Sequence, residues 1–199
     1  MDSGWGVRES VGALTARLTT PLSASIGVGY RWTARCRRRR WEGKKTGPNP
    51  TDRAKGGSKR SLLTEAAGIP VGLAVDGANR VDFKLARETL ESIPLRRPRP
   101  TKDRPQGLCL DKGYDYAEID ALVEEFRFTG HIARRGQPKR KVKRAARNKA
   151  RRWVVERTHS WMNRFRRILV RWEKRADTYI AMLHLSFALI TWRASILLG

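Results

Sequence analysis

The sequence predicts an α/β fold in which helices flank one mixed sheet, and two patterns carry this prediction. Short apolar runs that end in turn residues alternate with amphipathic segments, as strands and helices do when they share a sheet. An aspartate, Asp111, closes one of these runs, and a glutamate, Glu156, lies on a late helix. The 199 residues suffice for one domain with a core, so we expect one domain with tails.

The predicted elements follow one another from residue 61 onward. Residues 61–66 and 69–76 form a hairpin that turns at Gly68, and Asp82 caps a helix that runs to about Ile93. The next elements are a buried strand 107–110, a helix to about Phe126 that opens with the capping box of Asp115 and Glu118, and a strand 128–133. This order is that of an RNase-H-like sheet, in which carboxylates distant in sequence meet at one edge.

Two helices are predicted to close the chain. The first, residues 151–171, has a polar face that carries Glu156 and a solvated His159. Its apolar face consists of Val154, Val155, Trp161, Met162, Phe165, Ile168 and Leu169. The second, from about Thr178, is apolar nearly all round and is expected to be an internal support. It carries His184 and Arg193, which argues against a membrane span.

The charge of the chain indicates a polyanionic partner. There are 43 lysines and arginines against 19 aspartates and glutamates, a formal net charge of +24. Such an excess favours nucleic acid, and residues 134–152 in particular read as a basic arm or loop. The two cysteines, Cys36 and Cys109, have no neighbours at zinc-ligand spacing. We therefore expect a cytoplasmic protein that binds nucleic acid and has no membrane partner.

Four motifs carry a family resemblance. They are TGPNPTDRAKGGSKR at 46–60, AVDGANR at 74–80, LDKGYDY at 110–116 and RWVVERTHSW at 152–161. In this order they resemble the DDE transposases of bacterial insertion sequences, in the group related to insertion sequences four and five. The resemblance runs from about Lys44 to Arg193. It implies a catalytic domain over residues 44–199 and leaves residues 1–43 unassigned.

The resemblance also implies a reaction and the residues that perform it. DDE transposases cleave DNA and transfer its strands with Mg²⁺ or Mn²⁺, and the motifs assign two catalytic metal ligands, Asp111 and Glu156. The family's basic residue seven places beyond the glutamate is Asn163 here, so Arg164 or Arg167 is expected to take its role. The residues expected to bind DNA are Arg152, Arg164, Arg167, Lys139, Arg140, Lys141, Lys143 and Arg144. Homo-oligomers are left open.

The family's first catalytic aspartate has no counterpart in this sequence. It lies on the first central strand, shortly before TGPNP, yet no acidic residue occurs between Glu9 and Glu42. Residues 29–41, GYRWTARCRRRRW, are unlike a buried strand. We therefore expect the first central strand to be missing or scrambled, and the protein to be inactive in this form.

Back-translation offers a reason for the missing aspartate. Trp32 is encoded by TGG and Thr33 by a codon that begins with AC, so a shift of one base forces GAC, an aspartate codon, across their junction. We hypothesise that the first forty or so residues are read out of frame, in a decayed element or in one that uses ribosomal frameshifting. The alternative is an intact chain in which Asp52 or Asp76 supplies the third carboxylate.

Three functions explain the charge, and the motifs separate them. The first is a transposase, and the second is a non-catalytic DNA-binding remnant of one. The third, a basic RNA- or ribosome-associated protein, does not explain LDKGYD followed by RWVVERTHSW.

Overall fold

The computed structural model describes residues 29–38, 43–50, 52–94, 96–132, 134 and 152–198. The strands are β1 (Gly29–Arg38), β2 (Gly47–Pro48), β3 (Gly56–Thr64), β4 (Pro70–Gly77), β5 (Gly107–Leu110) and β6 (Thr129–Ile132). The helices are α1 (Ala86–Glu91), α2 (Ala117–Glu125), α3 (Arg152–Asn163), α4 (Arg166–Leu169) and α5 (Ala176–Leu198). Two 3₁₀ turns, Asp82–Leu85 and Lys112–Tyr114, precede α1 and α2.

The strands form one mixed sheet in which β1 is central. β3 pairs with β1 and β4 in antiparallel fashion, and β2 adds a short antiparallel pair to β3. On the other side β1 pairs with β5, and β5 with β6, both in parallel. The resulting order, β4-β3-β1-β5-β6, confirms the predicted RNase-H-like α/β fold.

The central strand, β1, consists of residues whose composition is least typical of a buried strand. Gly29–Arg38 pairs with β3 from Arg31 opposite Thr64 to Arg38 opposite Gly57. Of the two alternatives expected for this strand, missing or scrambled, the first is wrong because the strand is present, and the second stays a prediction. Its composition is nevertheless unusual, because the register makes Arg35 the partner of Arg60, and like charges at opposite positions destabilise a sheet.

The sheet has an apolar core on each face, because successive residues of a strand point to opposite sides. Leu62 and Leu63 of β3 are both fully buried and enter different cores. The core under α1 and α2 contains Leu63, Leu90, Leu108, Leu110, Tyr114, Ile119 and Phe128. The core under α3, α4 and α5 contains Leu62, Leu73, Val75, Val155, Met162, Ile168, Tyr179 and Leu183.

The hairpin is confirmed, whereas two predicted helix caps are wrong. Gly68 turns the hairpin with φ 93°, in the left-handed region that favours glycine. Asp82 makes no capping hydrogen bond, because its carboxylate pairs with Lys59 instead. The helix expected from Asp82 begins as a 3₁₀ turn. Asp115 does not cap α2 either: α2 follows Tyr116, and Asp115 accepts a hydrogen bond from Arg134.

The predicted helix 151–171 is divided into α3 and α4. The chain leaves the helical conformation at Phe165, which is extended with φ −80° and ψ 97°. Val154, Val155, Met162 and Ile168 of the predicted apolar face are buried, and Trp161 and Phe165 are partly buried. Leu169 is 41% exposed, so its assignment to the core is wrong. His159 was expected in solvent and is fully buried.

The last helix supports the core with one face only. Tyr179, Leu183, Phe187 and Ile190 are buried, whereas a row of apolar residues on the other side lies in solvent. The expectation of an internal support therefore holds for half of α5. Within the described residues, α5 is the one helix long and apolar enough to cross a membrane, and 28% of that segment is buried.

Candidate active site

Asp111 lies at the carboxyl end of β5, where the sheet gives way to a 3₁₀ turn. Leu108 and Leu110 are buried and fix β5 between β1 and β6, so the next residue emerges at the edge of the core. Its Oδ1 accepts a hydrogen bond of 2.7 Å from the backbone N–H of Lys112 and so caps the turn. The predicted carboxylate therefore stands at a strand end, half-buried.

The register of the parallel pair identifies the residue of β1 that lies beside Asp111. Arg31 of β1 is the partner of Cys109 in β5. Two residues further along both strands, Thr33 comes level with Asp111. This is the junction at which a shifted frame would encode an aspartate, and an aspartate at this position would stand level with Asp111 if the register continues.

Glu156 is carried by the helix that packs across the central strand. α3 contacts β1 and β3, and Val154, Val155 and Met162 anchor it in the core. Glu156 itself is exposed on the outer side of the helix. Asp111 and Glu156 thus belong to the strand and the helix that flank β1 directly.

The carboxylate of Asp82 borders the turn that carries Asp111, a proximity that no sequence pattern predicted. Lys59 donates hydrogen bonds of 2.5 Å to Asp82 Oδ1 and to the carbonyl of Arg80, and its side chain is 11% exposed. A Cβ atom built on Gly113 would lie 3.8 Å from Asp82 Oδ2. The only advance signal is that Asp82 closely follows the end of a strand, as Asp111 does.

The hydroxyl of Tyr114 lies in the electrostatic field of the Asp82 and Asp111 carboxylates. Burial raises the pKa of Tyr114 well above its ordinary value, and the negative charges of Asp82 and Asp111 raise it further. A phenolate beside two carboxylates in an apolar setting is disfavoured. Tyr114 therefore stays protonated and acts as a fixed support under the Asp111 turn.

The alternative third ligands, Asp52 and Asp76, do not lie near Asp111. Asp76 accepts a hydrogen bond of 2.8 Å from the N–H of Gly77, and its Oδ2 lies 3.5 Å from Nε of Arg80. Its strand, β4, is separated from β5 by β3 and β1, three strand spacings or roughly 14 Å. Thr33 is the partner of Leu62 in β3, and Asp52 precedes Gly56, the first residue of that strand. The stretch of β3 from Gly56 to Leu62 is roughly 20 Å long, so Asp52 lies about that far along the sheet from the level of Thr33.

The side chains present do not fit a pair of divalent cations. Two such ions a few ångström apart need several carboxylate oxygens around them. Over the described ranges, no three His, Cys, Asp or Glu side chains come together as a group of metal ligands. Within those ranges, neither Asp111 nor Glu156 belongs to such a group.

The residues expected to bind DNA are only partly described. Arg164 and Arg167 are exposed, and Nε of Arg167 donates a hydrogen bond of 2.9 Å to Glu173. Arg152 begins α3, and Lys139, Arg140, Lys141, Lys143 and Arg144 lie outside the described residues. Arg134, the first residue of the predicted arm, is bound by Asp115 and Asp120 at 2.8 and 2.7 Å, and these carboxylates raise its pKa.

Comparisons with known proteins identify the family. Residues 27–191 match the model of the transposase DDE domain. The chain is 38% identical over 184 residues to a protein of Burkholderia cepacia named as transposase for insertion sequence element IS402, covering 89% of this chain and 84% of that relative. A solved structure of piggyBac transposase in a synaptic complex with hairpin DNA is 11% identical, with a TM-score of 0.39, and the match covers 56% of this chain and 24% of that one. The chain belongs to the DDE transposases of insertion sequences.

Proposed function

We propose that this chain is an insertion-sequence transposase that binds DNA and, in its present form, does not cut it. The observation that supports the proposal is the register of β1 and β5: the last observed pair is Arg31 and Cys109, and the same register continued by two residues brings Thr33, which has no carboxylate, level with Asp111. The catalytic domain comprises residues 44–199 together with the central strand. The segment that we propose to be read out of frame belongs to residues 1–43, of which the family match covers residues 27–43.

The family reaction assigns roles to the two carboxylates that remain. DDE transposases use divalent cations, and the oxygen ligands Asp111 and Glu156 favour Mg²⁺ or Mn²⁺ over zinc. In an intact family member these ions support cleavage of the DNA strand and its transfer to a target. Because the donor set of this chain lacks one ligand, its action ends with DNA binding.

The charge of the chain supports DNA as its partner. A net charge of +24 attracts the phosphate backbone, and Arg164 and Arg167 present guanidinium groups to solvent close to the end of α3. Arg152 and the basic residues of 139–144 add further phosphate contacts. Its bacterial DNA substrate lies in the cytoplasm, which we infer to be its location.

Binding to duplex DNA is expected to show little sequence preference and a steep dependence on salt. Each phosphate that the protein neutralises contributes about 0.9 to the slope of log affinity against log salt concentration. The double variant Arg164→Ala/Arg167→Ala should lower that slope by roughly 1 to 2. Fluorescence anisotropy with a labelled duplex at about 50 to 300 mM salt measures this slope.

Arg134→Ala is the matched control for this measurement, because two carboxylates, Asp115 and Asp120, bind its guanidinium, whereas Arg167 pairs through Nε with Glu173 alone and its side chain stays 68% exposed. We expect its salt slope to equal that of the unmodified chain. A flat salt response of the unmodified chain, or no binding at low salt, would contradict DNA binding. An equal loss in Arg134→Ala would contradict the assignment of Arg164 and Arg167.

Asp111→Asn and Glu156→Gln are expected to remove metal-dependent cleavage while leaving DNA binding nearly unchanged. Each substitution keeps the size of the side chain and removes an anionic metal ligand. The reaction is measured in a chain whose reading frame has been restored, with cleavage on a denaturing gel and binding by anisotropy. Cleavage at the original rate in either variant would show that the family role does not belong to that residue.

A non-catalytic remnant of this kind has a second consequence, which the incomplete donor set favours. A chain that binds duplex DNA without cutting it covers the ends of the element along with other sequences, and so competes with an intact copy for those ends. It is expected to inhibit cleavage by an active transposase of the same element in proportion to its concentration. No inhibition at saturating DNA occupancy would limit its action to binding alone.

A further inference from the structure

The segment between α1 and β5 is rich in arginine and proline, and it carries exposed cations. Residues 96–104 read RRPRPTKDR and lead through Pro105 and Gln106 into β5. The loop between α2 and β6 borders this segment, because the residues on both sides of Arg127 contact Arg97. We call the shared surface the basic turn. Its cations are Arg96, Arg99, Lys102, Arg104 and Arg127, all of them exposed.

Arg97 fixes the basic turn to the fold. Its Nη1 donates a hydrogen bond of 2.8 Å to Gln106 Oε1, and its Nη2 donates one of 2.6 Å to the carbonyl of Phe126. Its guanidinium also lies 3.8 Å from the centre of the Phe128 ring. Gln106 is buried and donates a hydrogen bond of 2.7 Å to the carbonyl of Pro98. The cations are therefore arranged before a partner binds, which lowers the entropic cost of binding.

The conformation of the segment sets two of its arginines on one side. Proline fixes its own φ and favours an extended residue before it, so Pro98 and Pro100 keep this stretch extended. Arg97 and Pro100 are half-buried. Arg96 and Arg99, each one position earlier, are exposed, so burial repeats every three residues as in a polyproline II helix. The two arginines are thus about 9 Å apart along one side.

The cations of the basic turn are not neutralised by the fold. In the part of the chain that the structure describes, none of their five side chains forms a salt bridge, although Asp103 and Glu124 lie close in the chain. Other exposed arginines are paired, namely Arg80 with Asp76, Arg87 with Glu125 and Arg175 with Asp177. Arg127 has φ 55°, a left-handed conformation that is costly for arginine and recurs at binding sites. This concentration of positive charge favours a polyanion.

The basic turn lies at the edge of the sheet opposite to Asp111. It precedes β5, whereas Asp111 follows that strand, about 13 Å away along the chain direction. Arg127 precedes β6, which is parallel to β5, and so lies at the same edge as the rest of the turn. A phosphate backbone on the basic turn is therefore not presented to Asp111.

The basic turn is also separate from the pair Arg164 and Arg167. Those arginines adjoin Phe165 and Ile168, which pack in the core under α3, α4 and α5. The Phe128 ring that holds Arg97 belongs to the core on the other face of the sheet. The two groups of cations thus serve different faces of the domain.

The chemistry of the basic turn fits a phosphate backbone better than a protein. Proline segments that dock into aromatic grooves of proteins carry prolines three residues apart, and the prolines here, at 94, 98, 100 and 105, are never so spaced. Among the described residues, no large apolar side chain is exposed on the basic turn, so an apolar anchor for a protein interface is lacking. Regularly spaced guanidinium groups instead suit successive phosphates.

We propose that the basic turn is a second DNA surface, which holds the phosphate backbone of a duplex at the edge opposite to Asp111. The inference rests on the DNA binding proposed above and gives it a second location. Contacts of this kind position a duplex without reading its bases, so they carry no sequence preference.

Salt titration by fluorescence anisotropy tests the surface with two variants that lose the same charge. Arg96→Ala/Arg99→Ala/Arg127→Ala should lower the slope of log affinity against log salt concentration by roughly 2 to 3. Arg80→Ala/Arg87→Ala/Arg175→Ala removes three cations that carboxylates already pair, and its slope should stay nearly unchanged. Equal slopes of the two variants would overturn the inference.

The same titration separates this inference from the proposed function. If the chain binds DNA and its slope falls in Arg164→Ala/Arg167→Ala but not in the basic-turn variant, the second surface alone is refuted. If the unmodified chain binds no duplex at low salt, the proposed function is refuted together with it.

Cross-linking locates the contact and leaves every arginine in place. Thr101 is exposed within the basic turn, and Leu185 is exposed on α5. In a chain whose own cysteines are changed to serine, a photoreactive group on Thr101→Cys should cross-link to a labelled duplex, and the same group on Leu185→Cys should not. Equal cross-linking from both positions, or none from Thr101→Cys while anisotropy shows bound duplex, would overturn the second surface.

Discussion

Restoring the shifted reading frame over about residues 31–41 is expected to convert an inactive chain into one that cleaves DNA with Mg²⁺ or Mn²⁺. The shifted frame supplies an aspartate at the junction of Trp32 and Thr33, and the parallel register brings that position level with Asp111. Outer partners of metal ligands already contribute about 10–100-fold in affinity, so recovery of a direct ligand should contribute more. The restored strand also loses its arginines, and we expect better solubility.

The decisive measurement compares the original and restored proteins side by side on DNA that carries the ends of the element. Products are resolved on a denaturing gel, with and without metal. The original chain should give none even with Mn²⁺. If the original chain cleaves and the restored chain does not, the frame hypothesis fails.

A single substitution separates the carboxylate from the repacking of the strand. Thr33→Asp in the original chain is expected to bind Mn²⁺ more tightly than the isosteric control Thr33→Asn, as measured by calorimetric titration. The comparison needs no catalytic activity, so it remains informative where the arginines of β1 keep the site from turning over. Equal binding by the two variants would place the missing ligand elsewhere than beside Asp111.

Tyr179→Ala is expected to lower the free energy of unfolding by about 3–5 kcal/mol, the loss usual for a large buried aromatic side chain. Tyr179 is fully buried, and its hydroxyl accepts a 2.6 Å hydrogen bond from Nε of Arg60. Arg60 is itself buried, and burial lowers its pKa. Arg60 also donates a hydrogen bond to the carbonyl of Ile168, so the Tyr179 hydroxyl is one of two acceptors that stabilise this buried cation.

Tyr179→Phe divides the effect of the hydroxyl from that of the ring. Loss of an acceptor for a buried charged donor should cost about 1–3 kcal/mol, and the remainder belongs to packing. Urea denaturation followed by circular dichroism measures both variants, and Thr178→Ala, at the neighbouring exposed position, should stay within about 0.5 kcal/mol. Equal stability of Tyr179→Phe and the unmodified chain would show that Arg60 does not need the phenol.

The buried cations around Tyr179 also bear on the central strand. The positive charges of Arg60, Arg171 and Arg37 all act on the Tyr179 hydroxyl. Arg171 is stabilised by the carbonyl of Lys45 and the hydroxyl of Ser58, at 3.1 and 2.8 Å. Arg37 belongs to β1, whose composition is unusual for a central strand. It therefore places a positive charge near the buried Tyr179, where a central strand usually carries an apolar residue.

The parts of the fold that the sequence predicted are those set by local pattern. Gly68 allows the one backbone conformation that the hairpin needs, and the run before Asp111 is too apolar for any place but a buried strand. The order of these elements then sufficed for the topology of the sheet. The position of Asp111 at a strand end followed from the same pattern, whereas its catalytic role and that of Glu156 come from the family and stay predictions.

The parts that failed depend on partners far away in the chain. Asp82 and Asp115 have the right spacing for helix caps, but a lysine 23 residues away and an arginine 19 residues away take their carboxylates. An ion pair with good geometry outweighs a cap worth about 1 kcal/mol. His159 is buried because α3 packs closely on the sheet, which no helical wheel can reveal. The central strand was not predicted because residues 29–38 are rich in arginine, whereas a strand in the middle of a sheet is usually apolar.

The bridge from Arg134 to Asp115 and Asp120 divides the arginines of this protein by the work they do. Asp115 directly follows the turn that Asp111 begins, and Asp120 lies one turn into α2, so Arg134 clamps the start of that helix to the chain beyond β6. A guanidinium held by two carboxylates has already exchanged its hydration for protein partners. Arg134 is therefore a structural cation, and counting it among the charges that attract a phosphate backbone would overstate the attraction.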